Sequence, residues 1–226
     1  MAQQITYQAN QIEEIYNRVK EGYELKKKTQ PQSRYLISLA GVPGAGKTTF
    51  SNKISEKLSK LAKIVVLPQD GFHLYRSELQ QMTNPEEAVR RRGAPFTFNP
   101  KAFLALVSQL PDRSVRLEAP SFDHKLKDPK ENDIIIDTDV EIVIVEGNYV
   151  SLKDEYWNEI GNFMDDTWFI STPEALVRER IIRRHIDAGI AANEQEAIER
   201  ADGSDMVNAH YIIANSEPTN VLILSD

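Results

Sequence analysis

The segment Gly41-Val42-Pro43-Gly44-Ala45-Gly46-Lys47-Thr48-Thr49 follows directly on an apolar run, Tyr35-Leu36-Ile37-Ser38-Leu39-Ala40. A buried strand, glycines spaced G-x-x-x-x-G-K-T and then a helical pattern constrain the fold more than anything else in the chain. Gly41, Gly44 and Gly46 permit backbone conformations closed to residues with a Cβ, so successive N–H groups can turn inward on a phosphate chain. Lys47 adds a point charge for the terminal phosphates, and the Thr48 hydroxyl is placed to ligate Mg²⁺. Apolar Phe50, Ile54, Leu58 and Leu61 recur at helical spacing over 49–61. The loop therefore opens onto a helix N-terminus, whose dipole favours anions. Gly41 to Thr49 are the expected binding loop for a nucleoside triphosphate.

The chain has 226 residues, 41% hydrophobic and 27% charged, which suits one α/β domain with at most a small subdomain. It contains no cysteine, which excludes disulfides, thiolate metal sites and a cysteine nucleophile. The opening residues lack the basic and apolar blocks of a secretory signal, and no run reaches the length of a membrane span. A soluble, cytoplasmic protein with no membrane partner is expected. A net charge of −7 argues against nucleic acid as the main partner.

Apolar periodicity predicts an amphipathic helix over 9–28, carried by Ile12, Ile15, Tyr16, Val19 and Tyr23. Besides 35–40, short β-rich runs at 63–67, 140–146, 167–170 and 220–224 predict a five-stranded parallel sheet with helices on both faces. Arg113 to Glu118 alternates and reads as an edge strand within an inserted segment. The expected organisation is a single domain over 1–226. An acceptor-binding insertion spans 72–132, and an arginine-bearing lid spans 174–210.

In an open parallel sheet, ligands bind at the carboxyl ends of the strands. The second strand ends in Gln69-Asp70-Gly71-Phe72-His73, where Asp70 could accept the proton of a hydroxyl attacking a phosphate, with His73 as a rival base. The strand at 140–145 ends in Glu146-Gly147-Asn148-Tyr149, and Glu146 is the second expected group on the Mg²⁺ side. Arg180 and Arg184, one helical turn apart, could close over a transferring phosphoryl group. Phe72, Phe96 and Phe122 offer apolar walls for an acceptor pocket, and His73, Arg92, Asp123, His124, Asn148 and Tyr149 offer polar readers.

This ordered set, together with Phe98-Asn99-Pro100-Lys101-Ala102-Phe103 and Pro120-Ser121-Phe122-Asp123, resembles the phosphoribulokinase/uridine kinase family from about residue 34 to 224. Asp70–His73, Arg91–Pro95, Glu146–Tyr149 and Arg180–His185 are most similar to the fungal and bacterial ATP-dependent small-molecule kinases of that family. The resemblance implies a P-loop NTPase three-layer sandwich, ATP and Mg²⁺ as cofactors, and phosphorylation of an alcohol on a small metabolite with Asp70 as base. Asn99, Phe122 and Lys127 stand where uridine kinases carry an aspartate, a tyrosine and a histidine that hold the nucleoside, so the acceptor is expected to differ. Pantothenate kinases share the Asp-Gly-Phe segment and nicotinamide riboside kinases share the general plan, so nucleoside-like, pantothenate-like and sugar-like acceptors all stay open. The alternative from another class is a nucleotide switch that hydrolyses ATP without an acceptor.

Overall fold

The computed structural model describes residues 4–123 and 125–226. Its centre is a parallel sheet of β1 (Ile5–Gln8), β2 (Tyr35–Gly41), β3 (Ile64–Pro68), β6 (Ile142–Gly147), β7 (Asp166–Ser171) and β8 (Val221–Leu224), in the order β1-β8-β7-β2-β6-β3. Between β3 and β6 lies a separate antiparallel pair, β4 (Leu117–Asp123) and β5 (Asp128–Ile136). Every residue of β2 and β6 is buried, which is why both read as predominantly apolar runs, broken only by Ser38 in β2 and ended by Glu146 in β6: helices cover both faces of the sheet.

The main sheet thus has six strands where five were expected. The sixth, β1, pairs Ile5 with Val221 at the sheet edge and is mostly exposed. With so little apolar surface to bury, Ile5-Thr6-Tyr7-Gln8 carries no periodic signal, and only its pairing with β8 makes it a strand. The expected edge strand at 113–118 begins later, at Leu117. Residues 113–116 form a turn in which the Asp112 carboxylate accepts from both the backbone N–H (2.9 Å) and the hydroxyl (2.7 Å) of Ser114.

Helix α1 (Ile12–Thr29) buries Ile15, Val19 and Tyr23, with acids in its first turn and lysines in its last, as the helix dipole favours. Arg18 on this helix forms a two-pronged pair with the buried Asp166 carboxylate of β7 at 2.7 and 3.0 Å. Helix α2 (Lys47–Leu58) runs from the glycine loop and buries Phe50, Ser51, Ile54 and Leu58. The inserted region contains α3 (Arg76–Leu79), α4 (Pro85–Arg90), α5 (Pro100–Val107) and the β4–β5 hairpin. The 174–210 segment forms α6 (Glu174–Asp187), α7 (Glu194–Arg200) and the start of α8 (Met206–Asn215), with a π-helical turn at Ala201–Asp205. Among the described residues, no helix is long and apolar enough to cross a membrane.

The buried Arg34 guanidinium ties the insertion to the sheet. It donates to the carbonyls of Leu110 (3.1 Å), Asp112 (2.7 Å), Val115 (2.8 Å) and Asp137 (3.1 Å). One side chain thereby donates to four carbonyls, two of which, Asp112 and Asp137, also accept a backbone N–H.

Candidate active site

The carboxyl ends of three adjacent strands, β2, β6 and β3, converge on one crevice. Gly44 and Gly46 adopt φ of +76° and +90°, a region that L side chains avoid, and this turns the loop back into α2. A Cβ on Gly44 would also meet the Val177 carbonyl at 3.0 Å, so α6 presses directly on the loop. Val42, Pro43 and Ala45 are buried, whereas Thr48 and Thr49 are exposed at the start of α2.

Lys47 keeps some exposed surface along its stem, but its ammonium is enclosed. Nζ donates to the carbonyls of Gly41 (2.9 Å) and Val42 (3.0 Å) and to Asn148 Oδ1 (2.6 Å). Burial pulls its pKa down to about 8; the charges of Asp70 and Glu146 act upward, and that of Arg184 acts downward.

The Glu146 carboxylate, at the end of β6, is 5% exposed. Thr48 Oγ1 donates to its Oε1 at 3.0 Å, and Ser51 Oγ donates to its Oε2 at 2.6 Å. Ser51 escaped the sequence reading. Its position one helical turn after Thr48 was the available signal, since residues three apart share a helix face. Hydroxyl and carboxylate oxygens are hard donors that fit Mg²⁺, which takes few protein ligands and completes its shell with water and phosphate oxygens.

Asp70 sits in the 3₁₀ turn Gln69–Phe72 that follows β3. Close backbone contact fixes the turn: a Cβ on Gly71 would lie 2.0 Å from the Pro120 carbonyl of β4. Gln69, a second residue that the sequence did not single out, is buried and accepts from the Tyr149 N–H at 2.9 Å, joining the ends of β3 and β6. His73 Nδ1 donates to the Asp70 carbonyl at 2.8 Å, and its ring lies 3.9 Å from that of Phe98 and 4.8 Å from that of Phe122. Because a carbonyl only accepts, this bond puts the hydrogen on Nδ1.

The remaining expected acceptor contacts separate into three groups. Around His73, Arg92 lies over the Phe122 ring at 5.5 Å and donates to the Leu74 carbonyl (2.9 Å) and to Asp128 (3.1 Å). Phe72 is buried against Phe103. Phe96, half exposed, lines a different space: a cavity of about 490 Å³ bounded by α8 and residues 154–157, to which neither Asp70 nor Lys47 contributes. Two residues are committed to local structure. The Tyr149 hydroxyl donates to the Gly93 carbonyl at 2.5 Å, and burial pushes its phenol well above the usual range. Asp123 caps the hairpin turn by accepting from the N–H groups of Leu126 and Lys125, which hold its carboxyl below the usual range. His124 lies outside the described residues.

On α6, Arg180 Nη1 approaches within 3.8 Å of the position that a Cβ on Gly46 would take, and its other terminus donates to the Asp226 carbonyl at 2.7 Å. Arg184 faces Asp205 at 3.5 Å. Arg178 and Arg183 are paired elsewhere, with Asp202 and Glu179.

A glycine loop that opens onto α2, an acid at or just beyond the ends of two neighbouring strands and an arginine of α6 beside Gly46 make up this edge of the sheet. The model of the Phosphoribulokinase / Uridine kinase family matches residues 36–193. The chain belongs to that family. It is 36% identical over 219 residues to "Putative uridine kinase C227.14" of Schizosaccharomyces pombe, covering 93% of this chain and 89% of that one. It is 37% identical over 158 residues to "ATP-dependent kinase-like protein notR'" of Aspergillus versicolor, covering 68% and 92%. Among solved structures, the "putative fructose transport system kinase" of Silicibacter sp. TM1040 superposes with a TM-score of 0.81 at 29% identity, covering 92% of this chain and 98% of that one. The protein is a P-loop kinase of the phosphoribulokinase/uridine kinase family, with the parallel, helix-flanked sheet of that fold.

Proposed function

We propose that this protein transfers the γ-phosphoryl group of ATP to a hydroxyl of a small metabolite. The observation that carries the reading is the Lys47 ammonium, held by the Gly41 and Val42 carbonyls and by Asn148 at the ends of β2 and β6, beside Glu146 and the neighbouring strand end that leads to Asp70. A triphosphate drawn to the loop by Lys47 would point its terminal phosphate towards the strand ends that carry Glu146 and Asp70. As the acceptor oxygen forms its bond to phosphorus and the bond to the departing ADP breaks, Asp70 takes the hydroxyl proton. Lys47 and the loop amides hold the donor phosphates. Arg180 and Arg184 offset the charge that gathers on the moving phosphoryl group. Thr48 and Glu146 would hold Mg²⁺, directly or through water, and the ion would supply charge neutralisation of phosphate oxygens.

Two of the three positions that distinguish this chain from uridine kinases have local tasks here. Asn99 caps α5 by accepting from the Ala102 N–H at 3.0 Å, and Lys127 sits in the hairpin turn with φ of +57°. An acceptor other than a pyrimidine nucleoside follows. The deciding experiment incubates γ-labelled ATP with the protein and a metabolite extract. A labelled small molecule that disappears with Asp70→Asn, while that variant still binds ATP, is the expected result. Release of inorganic phosphate alone would sink the reading in favour of a hydrolytic switch.

A further inference from the structure

A cavity of about 490 Å³ is walled by Phe96, Tyr156, Trp157 and Tyr211 and has a size suited to a metabolite. Arg91 and Asn208 also line it, and Arg91 Nη2 donates to Asn208 Oδ1 at 3.1 Å. The guanidinium is underused. Its Nε is buried without a partner, and it makes no ion pair among the described residues, although its neighbours Arg90 and Arg92 are paired with Glu87 and Asp128. The carboxylate nearest the far wall is already engaged, since the Tyr211 hydroxyl donates to Asp154 at 2.9 and 3.0 Å. Glu155 is exposed. A partly buried cation with open donors beside aromatic walls is matched by an anion on an apolar body. Tyr156, one of those walls, is held at φ of +68°, a strained conformation for a side chain of its size.

Continuous bonding joins the cavity to the crevice. Asn148 holds Lys47, and the next residue, Tyr149, donates to Gly93, which precedes the cavity residue Ala94. On the other side, Asn208 lies one helical turn after Asp205, which faces Arg184. The Gly93 carbonyl that Tyr149 reaches lies two residues from Arg91, so the chain that carries Arg91 is tied to the end of β6.

We propose that this cavity holds the body of the acceptor and that Arg91, steadied by Asn208, reads an anionic oxygen group on it. The acceptor is then an alcohol with an apolar or aromatic body that carries a carboxylate or a phosphate. This assignment rests on the kinase reading above.

The test is a ligand-observed NMR titration of the full chain without nucleotide. Its probes are hydroxyalkanoic and hydroxyaryl-alkanoic acids of roughly four to ten carbons, their primary amides, and phosphate esters built on the same bodies. The acid or the phosphate ester should bind about tenfold more tightly than the amide, and whichever of the two is preferred identifies the anion. Arg91→Met should erase that preference. Arg91→Lys, which keeps the charge but loses the fork, should retain part of it. Phe96→Ala, at a half-exposed wall, should weaken acid and amide alike; thermal melts of each variant establish that it is folded. Equal binding of acid and amide by the wild type, or a preference that survives Arg91→Met, overturns the assignment. Phosphorylation of alcohols that is indifferent to Arg91→Met removes the cavity's role and leaves the kinase reading standing. An Arg91-dependent preference with no transfer to any alcohol supports the anion site and defeats the kinase reading.

Discussion

The Ser51 hydroxyl donates to Glu146 Oε2 at 2.6 Å, and both residues are buried. With Thr48 on the other oxygen, each oxygen of this carboxylate is held by α2, which fixes the direction in which Glu146 can meet a cation.

Ser51→Ala removes a hydrogen bond to a charged group and should cost about 1.5–3 kcal/mol of stability, measured by urea unfolding. The Mg²⁺ concentration for half-maximal turnover should also rise, because Glu146 loses one of its two restraints. Unchanged stability together with an unchanged Mg²⁺ requirement would remove this positioning role.

Lys47, lowered to about 8, predicts an alkaline limit on nucleotide binding. Below that value the ammonium is charged in the free protein. A bound triphosphate adds negative charge and raises the pKa, so binding takes up a proton once the pH exceeds about 8. Affinity for a non-hydrolysable ATP analogue should therefore fall as pH rises through 8, approaching about tenfold per pH unit. A dissociation constant that stays flat from about pH 7 to about pH 9.5 would contradict this.

Gly71 has no room for a methyl group, because its Cβ would lie 2.0 Å from the backbone carbonyl of Pro120. Gly71→Ala must push the β4–β5 hairpin away from the turn that carries Asp70. A loss of about 1–3 kcal/mol is expected on urea unfolding. Turnover should fall at least about tenfold from misplacement of the base, with ATP affinity retained. Full turnover in this variant would show that the hairpin does not position Asp70.

Arg34→Met removes four hydrogen bonds to carbonyls around the insertion, two of them at 2.7 and 2.8 Å, and leaves the Leu110 and Val115 carbonyls without the donor that holds them. Stability should drop by about 3 kcal/mol or more. The matching measurement is a lower urea midpoint with little change in slope. A loss below about 1 kcal/mol would mean that water replaces the guanidinium.

The core strands were legible because a parallel strand covered on both faces is mostly apolar, as β2 is apart from Ser38 and β6 is up to Glu146. Edge strand β1 was not, since exposed Ile5 and Thr6 bury too little to leave a pattern. Asp123 illustrates the same limit at the site. An acid beside aromatics reads as a possible ligand contact, yet two N–H groups only two and three residues ahead hold its carboxylate as a turn cap.

From the chain alone came the phosphate loop, the alternation of strands and helices, and the acids that close two of the strands. These are local properties: glycine's freedom at positive φ, the apolar runs, and the abrupt end of each run in a carboxylate. Tertiary structure alone decided that Asn148 holds the Lys47 ammonium, that Ser51 holds Glu146, and that Arg91 meets Asn208 across a separation of 117 residues. No local pattern encodes such partners, because they come together only when crossover connections bring strand ends and helices from distant parts of the chain to one edge of the sheet.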